Sequence, residues 1–312
     1  MSTLYLDRRH ASLSISNKRL KIVIADVPAQ HIPLKMIDRV VIFGDVNLST
    51  SVLAHMASES ISITLLSGRN GSYKARVWGD AHNDAKIRLL QYALVSDKDS
   101  AAALARTSIL AKLQSQIHIM EQWTENKRGD KVKLVRCLRE LRSIQASFPL
   151  HPDHASLLGL EGAAARSWFS GFTAMFGESL HFTSRNRRPP KDPVNACLSL
   201  GYTLLHAEAV RISYAAGLDP FLGYYHQPDY GRESLACDLI EPLRPVLDQW
   251  VWELFHHQTL RTEHFSTSDH ACLLGKAGRS HFYKAYEEWA KPVRRLLRMH
   301  CRQWIRHMKE GG

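Results

Sequence analysis

Two acids, Asp238 and Glu241, stand three residues apart in "ESLACDLIEPLRP", among leucines and an isoleucine, shortly after His226 in "GYYHQP". Carboxylates are costly to bury unless positive charge meets them, so this stretch needs either a protein cation or a metal beside it. A third acid, Glu161 in "SLLGLEGAAARSWF", shares one helical face with Leu157, Ala164 and Trp168 through i, i+3 and i+4 spacing, which points it inward among apolar neighbours. Taken singly each has an ordinary reading: a glutamate paired with an arginine or buried histidine, a loop histidine, a pair of acids on one helix. Taken together they are an imidazole and two or three carboxylates arriving from separate segments. Mixed carboxylate and imidazole ligation suits magnesium or manganese better than zinc. A cation so held serves phosphodiester chemistry, by polarising a phosphoryl oxygen, activating a hydroxyl or water and stabilising the leaving oxyanion.

The overall charge agrees with such a substrate. The 312 residues carry a formal net charge of +11, while hydrophobic content of 45% and charged content of 23% are those of an ordinary globular protein. An excess of that size favours nucleic acid as partner over an anionic membrane. The loop "RNRRPPKDP" supplies Arg185, Arg187, Arg188 and Lys191, and Arg232 and Arg244 flank the acidic stretch; all six are candidate phosphate contacts, solvated surface charge being the alternative. No apolar run approaches a spanning helix, and "MSTLYLDRRHASL" has charges where a signal peptide needs its apolar core. The five cysteines are scattered without a CxxC pair, which predicts reduced thiols in a cytoplasmic protein. The pairs in "HPDH" and "HH" lack a partner cluster and read as surface or capping residues.

The elements that must position these groups differ along the chain. Through residue 80 the sequence reads in short β segments: "LSIS", "RLKIVIADVP" ending at its proline, "DRVVIFGDV" and "SISITLLS", with a short helix at "STSVLAHMASES" and a Gly-marked turn "GRNG" into a last strand. From residue 86 to 312 the texture becomes helical, rich in Ala, Leu, Lys, Arg, Gln and Glu. "ESLACDLIEPLRPVLDQWVWELFHH" reads there as one helix and "SHFYKAYEEWAKPVRRLLRMHCRQWIRHM" as the last. The expected fold class is α+β: a small N-terminal β-rich domain, residues 1–80, followed by a larger all-α-helical catalytic domain, residues 86–312.

At these same residues the sequence resembles a known family. "IPLKMIDRVVIFGDVNLST", "GLEGAAAR", "NRRPPKDPVNACLSLGYTLL" and "GLDPFLGYYHQPDYGRESLACDLIEPLRP" look like the CRISPR adaptation integrase, the first CRISPR-associated protein. The resemblance runs from the β domain through Pro245 and fades in the C-terminal helix. It implies an N-terminal β domain, a helical catalytic domain, a homodimer, and assembly with the second CRISPR-associated protein. It also implies a Mg2+ or Mn2+ site made by Glu161, His226 and Glu241, with Asp238 beside it as a tuning residue. None of these positions is substituted. The implied reaction is transesterification: the 3′-hydroxyl of a short captured DNA attacks a phosphodiester at a CRISPR repeat, accompanied by metal-dependent endonuclease activity. A divalent cation would make the acids near His226 tolerable, and without it the carboxylates are expected to raise one another's pKa. Two rival readings remain at this level, a structure-specific DNA nuclease working mainly by hydrolysis and a non-catalytic basic DNA-binding protein.

Overall fold

The computed structural model describes residues 2–8, 10–67, 72–79, 84–126, 129–186, 189–268 and 271–310. The "GRNG" turn, the 80–83 segment and the Arg187–Arg188 pair lie outside the described residues. Two compact units are distinguished, Met1–Asn83 with Tyr283–Glu288, and Asp84–Phe282 with Trp289–Gly312.

The first unit contains β1 (Ser2–Leu6), β2 (Ala11–Ser16), β3 (Arg19–Ile24), β4 (Val27–Pro33), β5 (Ile37–Phe43), β6 (Val46–Leu48), α1 (Thr50–Ser58), β7 (Ser62–Ser67) and β8 (Ser72–Val77). They form two four-stranded sheets, in the orders β1-β5-β7-β8 and β4-β3-β2-β6. Strand β2 buries Ala11 and Leu13 and exposes Ser12 and Ser14, the alternation of a sheet with one wet face. Strand β5 is buried almost throughout and pairs in parallel with both β1 and β7, as a central β-branched run should. Leu13, Leu20, Ile22, Val40, Ile42, Val52, Met56 and Ile63 form the shared core. The run "RLKIVIADVP" is corrected by the structure: it turns at Asp26, which adopts φ 60, and its proline lies inside the next strand. Strand β4 is an edge strand, where a residue without an N–H is tolerated.

The second unit contains α2 (Ala85–Ser96), α3 (Lys98–Glu125), α4 (Lys131–Ala146), α5 (His154–Thr173), α6 (Pro193–Ala215), α7 (Ser234–Ile240), α8 (Arg244–His256), β9 (Phe265–Thr267), β10 (Cys272–Leu274) and, apart from its Tyr283–Glu288 stretch, α9 (Lys276–Glu310). Asp84, Asp97, Asp130, Asp153 and Asp192 are the N-caps of α2 to α6, one aspartate per helix, each accepting a backbone N–H of the first turn. Two expectations need correction. The unit is not all-α, because β9 and β10 pair as a small antiparallel hairpin. Cys272 and Leu274 are its buried residues, and the Cys272 N–H donates to the Pro190 carbonyl at 2.7 Å. Three-residue strands are too short to leave a period in the sequence. The stretch from Glu233 to His257 is likewise not one helix. Pro242 and Pro245 lack the N–H groups that a continuous helix would use, and a single 3-10 turn, Glu241–Leu243, separates α7 from α8.

Trp168 belongs to the core of this unit. It is 1% exposed, its ring centroid lies 5.5 Å from that of Trp123, and its Nε1–H donates to Asp248 Oδ2 at 2.8 Å. Trp168→Ala is expected to cost roughly 3–5 kcal/mol, read as a lower denaturation midpoint at unchanged slope. Native stability in that variant would contradict the placement. All five cysteines are free thiols, four of them buried.

Candidate functional site

The three acids and His226 sit in the second unit on four different elements. Glu161 comes from the middle of α5, His226 from the loop between α6 and α7, Asp238 from α7, and Glu241 from the break between α7 and α8. Helix α3 brings a residue that the motifs do not announce. Lys112 is buried, its ammonium contacts the Glu161 carboxylate, and it donates to Glu241 Oε2 at 2.8 Å. On the other side, Arg244 Nε donates to Glu241 Oε1 at 2.6 Å. The cation required by the buried acids is therefore, in this structure, first of all a protein cation.

That arrangement overturns the expected mutual repulsion of the carboxylates. Burial pushes the Glu241 carboxyl up, but Arg244 and Lys112 outweigh it and hold the group down at about 2. Burial pulls the Lys112 ammonium down, and Glu241 and Glu161 more than reverse this, leaving it above the ordinary lysine value. Arg244 is raised in the same sense, with burial opposed by Glu241.

Asp238 faces elsewhere. It is fully buried, and its Oδ2 accepts the backbone N–H groups of Tyr224 at 2.7 Å and Tyr225 at 2.9 Å. Its Oδ1 accepts the His226 N–H at 3.0 Å and lies 2.6 Å from His226 Nδ1. A carboxylate only accepts, so Nδ1 carries a proton and donates to Asp238, which leaves Nε2 turned to the opposite side of the ring. That Nε2 lies 3.9 Å from Glu241 Oε1. Gly223 is required by this closeness: a Cβ there would lie 2.5 Å from Asp238 Oδ2 and 2.8 Å from the Ser234 backbone. The loop is held further by Gln91 of α2, which is buried, donates to the carbonyls of Asp219 and Leu222, and accepts the Asp219 N–H at 2.8 Å. Tyr225 enters a cluster with Ala105, Ile109 and Leu157, and its carbonyl accepts His154 Nε2–H at 2.8 Å. A long connection without regular structure thus presents His226 in one position.

Behind Arg244 lies a further buried acid. Asp248 Oδ1 accepts the Tyr202 hydroxyl at 2.5 Å, opposite its bond from Trp168. Burial pushes Asp248 up to about 6, against those two hydrogen bonds. The Arg244 guanidinium stands over the Tyr202 ring at 5.0 Å. The "NRRPPKDPVNACLSLGY" stretch makes the rest of this wall. Buried Asn195 accepts from the Asn186 backbone N–H at 3.0 Å and donates to the Ser184 carbonyl at 2.8 Å, tying the proline-rich loop to α6.

The candidate phosphate contacts are divided by the structure. Arg185 is half-buried and turned inward, with Nη1 donating to Asn195 Oδ1 at 2.8 Å and its guanidinium 5.8 Å from the Tyr202 ring. Arg244 is in the site itself. Lys191 and Arg232 are exposed, while Arg187 and Arg188 lie outside the described residues.

Among the described residues, no group of three or more His, Cys, Asp or Glu is gathered as a ready metal cluster. The donor chemistry nevertheless fits a hard divalent ion. Two carboxylates converge on one cation, and an imidazole with its Nδ1 tied to a carboxylate turns Nε2 toward Glu241, the orientation that metal-binding histidines commonly have. Glu161 and His226 retain 26% and 19% side-chain exposure, so the cluster is open at that edge, whereas Glu241 is closed off at 5%. If Asp238 acts through His226, Asp238→Ala is expected to lower activity about 10- to 100-fold without abolishing it. A manganese titration checks this: excess metal should partly rescue Asp238→Ala and not Glu241→Ala, and the opposite pattern would exchange their roles.

The family model described as "CRISPR associated protein Cas1" matches residues 4–288. A protein of Thermodesulfovibrio yellowstonii named "CRISPR-associated endonuclease Cas1 1" is 36% identical over 99% of this chain and 98% of its own length. Two solved structures share the fold. One, "Casposase bound to integration product", aligns with TM-score 0.83 at 18% identity over 100% of this chain and 92% of that one. The other, "Cas6-RT-Cas1--Cas2 complex", aligns with TM-score 0.84 at 24% identity over 99% of this chain and 35% of a longer polypeptide.

Proposed function

Because the chain belongs to the Cas1 family of CRISPR-associated proteins, we propose that it is the DNA integrase and endonuclease of CRISPR spacer acquisition, joining the 3′-hydroxyl of a short DNA to a repeat by transesterification. The observation that carries this reading at the level of chemistry is the convergence of Glu161 and Glu241 on one cation, with His226 Nε2 facing the same acid.

Glu161, His226 and Glu241 would hold Mg2+ or Mn2+, and a bound ion supplies Lewis-acid polarisation of the phosphoryl group and stabilises the attacking and leaving oxygens. The chain's own residues set the geometry. Asp238 fixes the tautomer and angle of His226. Arg244 binds Glu241 through Nε and keeps 23% of its side chain exposed, so its terminal N–H groups can take a phosphate oxygen while Nε positions the ligand. Lys112 keeps the two glutamates at one place before the ion arrives. Tyr202, packed on Arg244 and bonded to Asp248, limits where the guanidinium can move.

The reading includes DNA as substrate, a homodimer as the working unit, and a Cas2-like partner, the last supported by the complex named in the structural match. No helix among the described residues is long and apolar enough to cross a membrane. The test is an integration assay with 3′-labelled duplex and a supercoiled plasmid carrying a repeat, with and without partner and manganese. Label covalently joined to plasmid is the expected result. Nicked or linear plasmid without joined label would instead support hydrolysis as the main reaction, a reading favoured by the "endonuclease" name of the relative. Neither product, with DNA binding intact, would leave the non-catalytic reading.

A further inference from the structure

Helix α9 carries a feature that the site does not use. Between Glu288 and Glu310 it contains no acidic residue, and Lys291, Arg295, Arg298, Arg302, Arg306 and Lys309 are all exposed. Their spacings of three and four residues place them within about 80° of the helix circumference, in one row about 27 Å long. None of the six has an ion pair or hydrogen bond with a described residue. The opposite face is fixed to the unit: Arg294 Nε donates to Glu208 Oε1 at 2.8 Å between two buried side chains, and Leu297, Cys301 and Met308 are buried. Trp304 packs edge-on against Tyr224 at 5.5 Å, two residues before His226. The cationic row therefore rides on a helix whose inner side is in contact with the loop that presents the candidate catalytic histidine.

We propose that this outer face of α9 binds the phosphate backbone of double-stranded DNA, as a sequence-independent guide lying about one helix diameter, roughly 10–12 Å, from Tyr224. The inference rests on the reading of the chain as a DNA-acting enzyme and assigns it a contact surface apart from the catalytic cluster. Charge complementarity selects the occupant. An unbroken row of cations over about 27 Å meets the continuous phosphate charge of a duplex, one negative charge per about 1.7 Å of axis. A membrane surface fits less well: Val293, Leu297, Cys301, Trp304 and Met308 are buried, and only Leu296 and Met299 are exposed large apolar side chains among the described residues of this helix, too few for a lipid-entering face. Such contacts supply affinity and register and read no bases. The row also gives the +11 chain a place for its excess charge that Arg185, turned inward, and Arg244, engaged with Glu241 inside the site, do not provide.

The test uses the full chain in EDTA, so that it does not depend on metal or catalysis. Binding of a fluorescent blunt duplex of arbitrary sequence is measured against salt for the wild type and for Arg298→Gln/Arg302→Gln/Arg306→Gln. Glutamine keeps helix propensity and these side chains bury nothing, so the thermal midpoint should be unchanged. The slope of log K against log salt should flatten by up to about 2.7 units, about 0.9 for each phosphate no longer neutralised. The corresponding triple lysine variant should keep the wild-type slope. An unchanged slope in the glutamine variant overturns the proposal, as does a binding loss confined to anionic phosphatidylserine vesicles. Should the integration assay fail while the slope flattens, the DNA surface stands and only the catalytic reading falls; with joined product and an unaltered slope, the catalytic reading stands and the surface falls.

Discussion

Glu161→Gln, His226→Ala and Glu241→Gln are each expected to reduce strand transfer by at least about 10³-fold, with duplex binding in EDTA retained, and double variants are expected to be little worse than single ones. The reason is that the three residues act as one unit around a shared cation position, so removing one already removes the geometry. Glu161→Gln is the cleanest of the three. Glu161 is partly exposed, and glutamine keeps its shape while withdrawing the charge. Glu241→Gln also deprives Lys112 and Arg244 of their common partner, so its stability must be measured beside its activity. Any single variant that kept near wild-type transfer in manganese would remove that residue from the candidate ligands.

Much of this site is legible in the sequence because its acids are out of place. Glu161 on an apolar helical face, and Asp238 and Glu241 among leucines, stand where carboxylates need a reason to be. What spacing cannot show is which way each acid turns. Asp238 and Glu241 are both buried, yet one clamps the backbone of Tyr224, Tyr225 and His226 while the other meets Lys112 and Arg244. Backbone N–H groups leave no trace in a sequence, and only Gly223, with no room for a Cβ, hints at the clamp. Lys112 had a readable signal: with Ile109, Leu113, Gln116 and Met120 it occupies the buried face of α3 at helical spacing. A lysine in "SILAKLQSQ" passes for surface because lysine is almost never buried unpaired, and its partners come from α5 and the α7–α8 break. Similar reasons hid Gln91, four residues after Ile87 on the buried side of α2. The β9–β10 hairpin and the turn at Asp26 escaped because both depend on contacts or angles that no short pattern encodes.

Lys112→Met should be the substitution that separates the protein cation from the metal ion. Taking away the ammonium leaves Glu161 and Glu241 facing each other in a partly closed pocket with Arg244 as the remaining charge. Breaking a buried pair by removing one partner costs about 3–5 kcal/mol, so the metal-free variant should unfold at clearly lower denaturant. The pH dependence should change in a defined direction. In the wild type Glu241 is held at about 2, below its unfolded value, so its stabilisation is present above the ordinary carboxylate range and is lost as pH falls through the folded value. Lys112 is raised, so its contribution is present below the ordinary lysine range and fades as pH climbs through the raised value. In Lys112→Met the alkaline limb should disappear, and the acid limb should shrink to what Arg244 and His226 maintain. Manganese or magnesium should then stabilise the variant more than the wild type, because the ion no longer competes with an ammonium for the same two carboxylates; at a hundred times its Kd a ligand adds about 2.7 kcal/mol. Denaturant titrations of both proteins with and without manganese read all of this. Equal metal-free stability would show that Lys112 is not the charge that makes the buried acids tolerable, and equal stabilisation by manganese would show that the ion and the ammonium do not share a place.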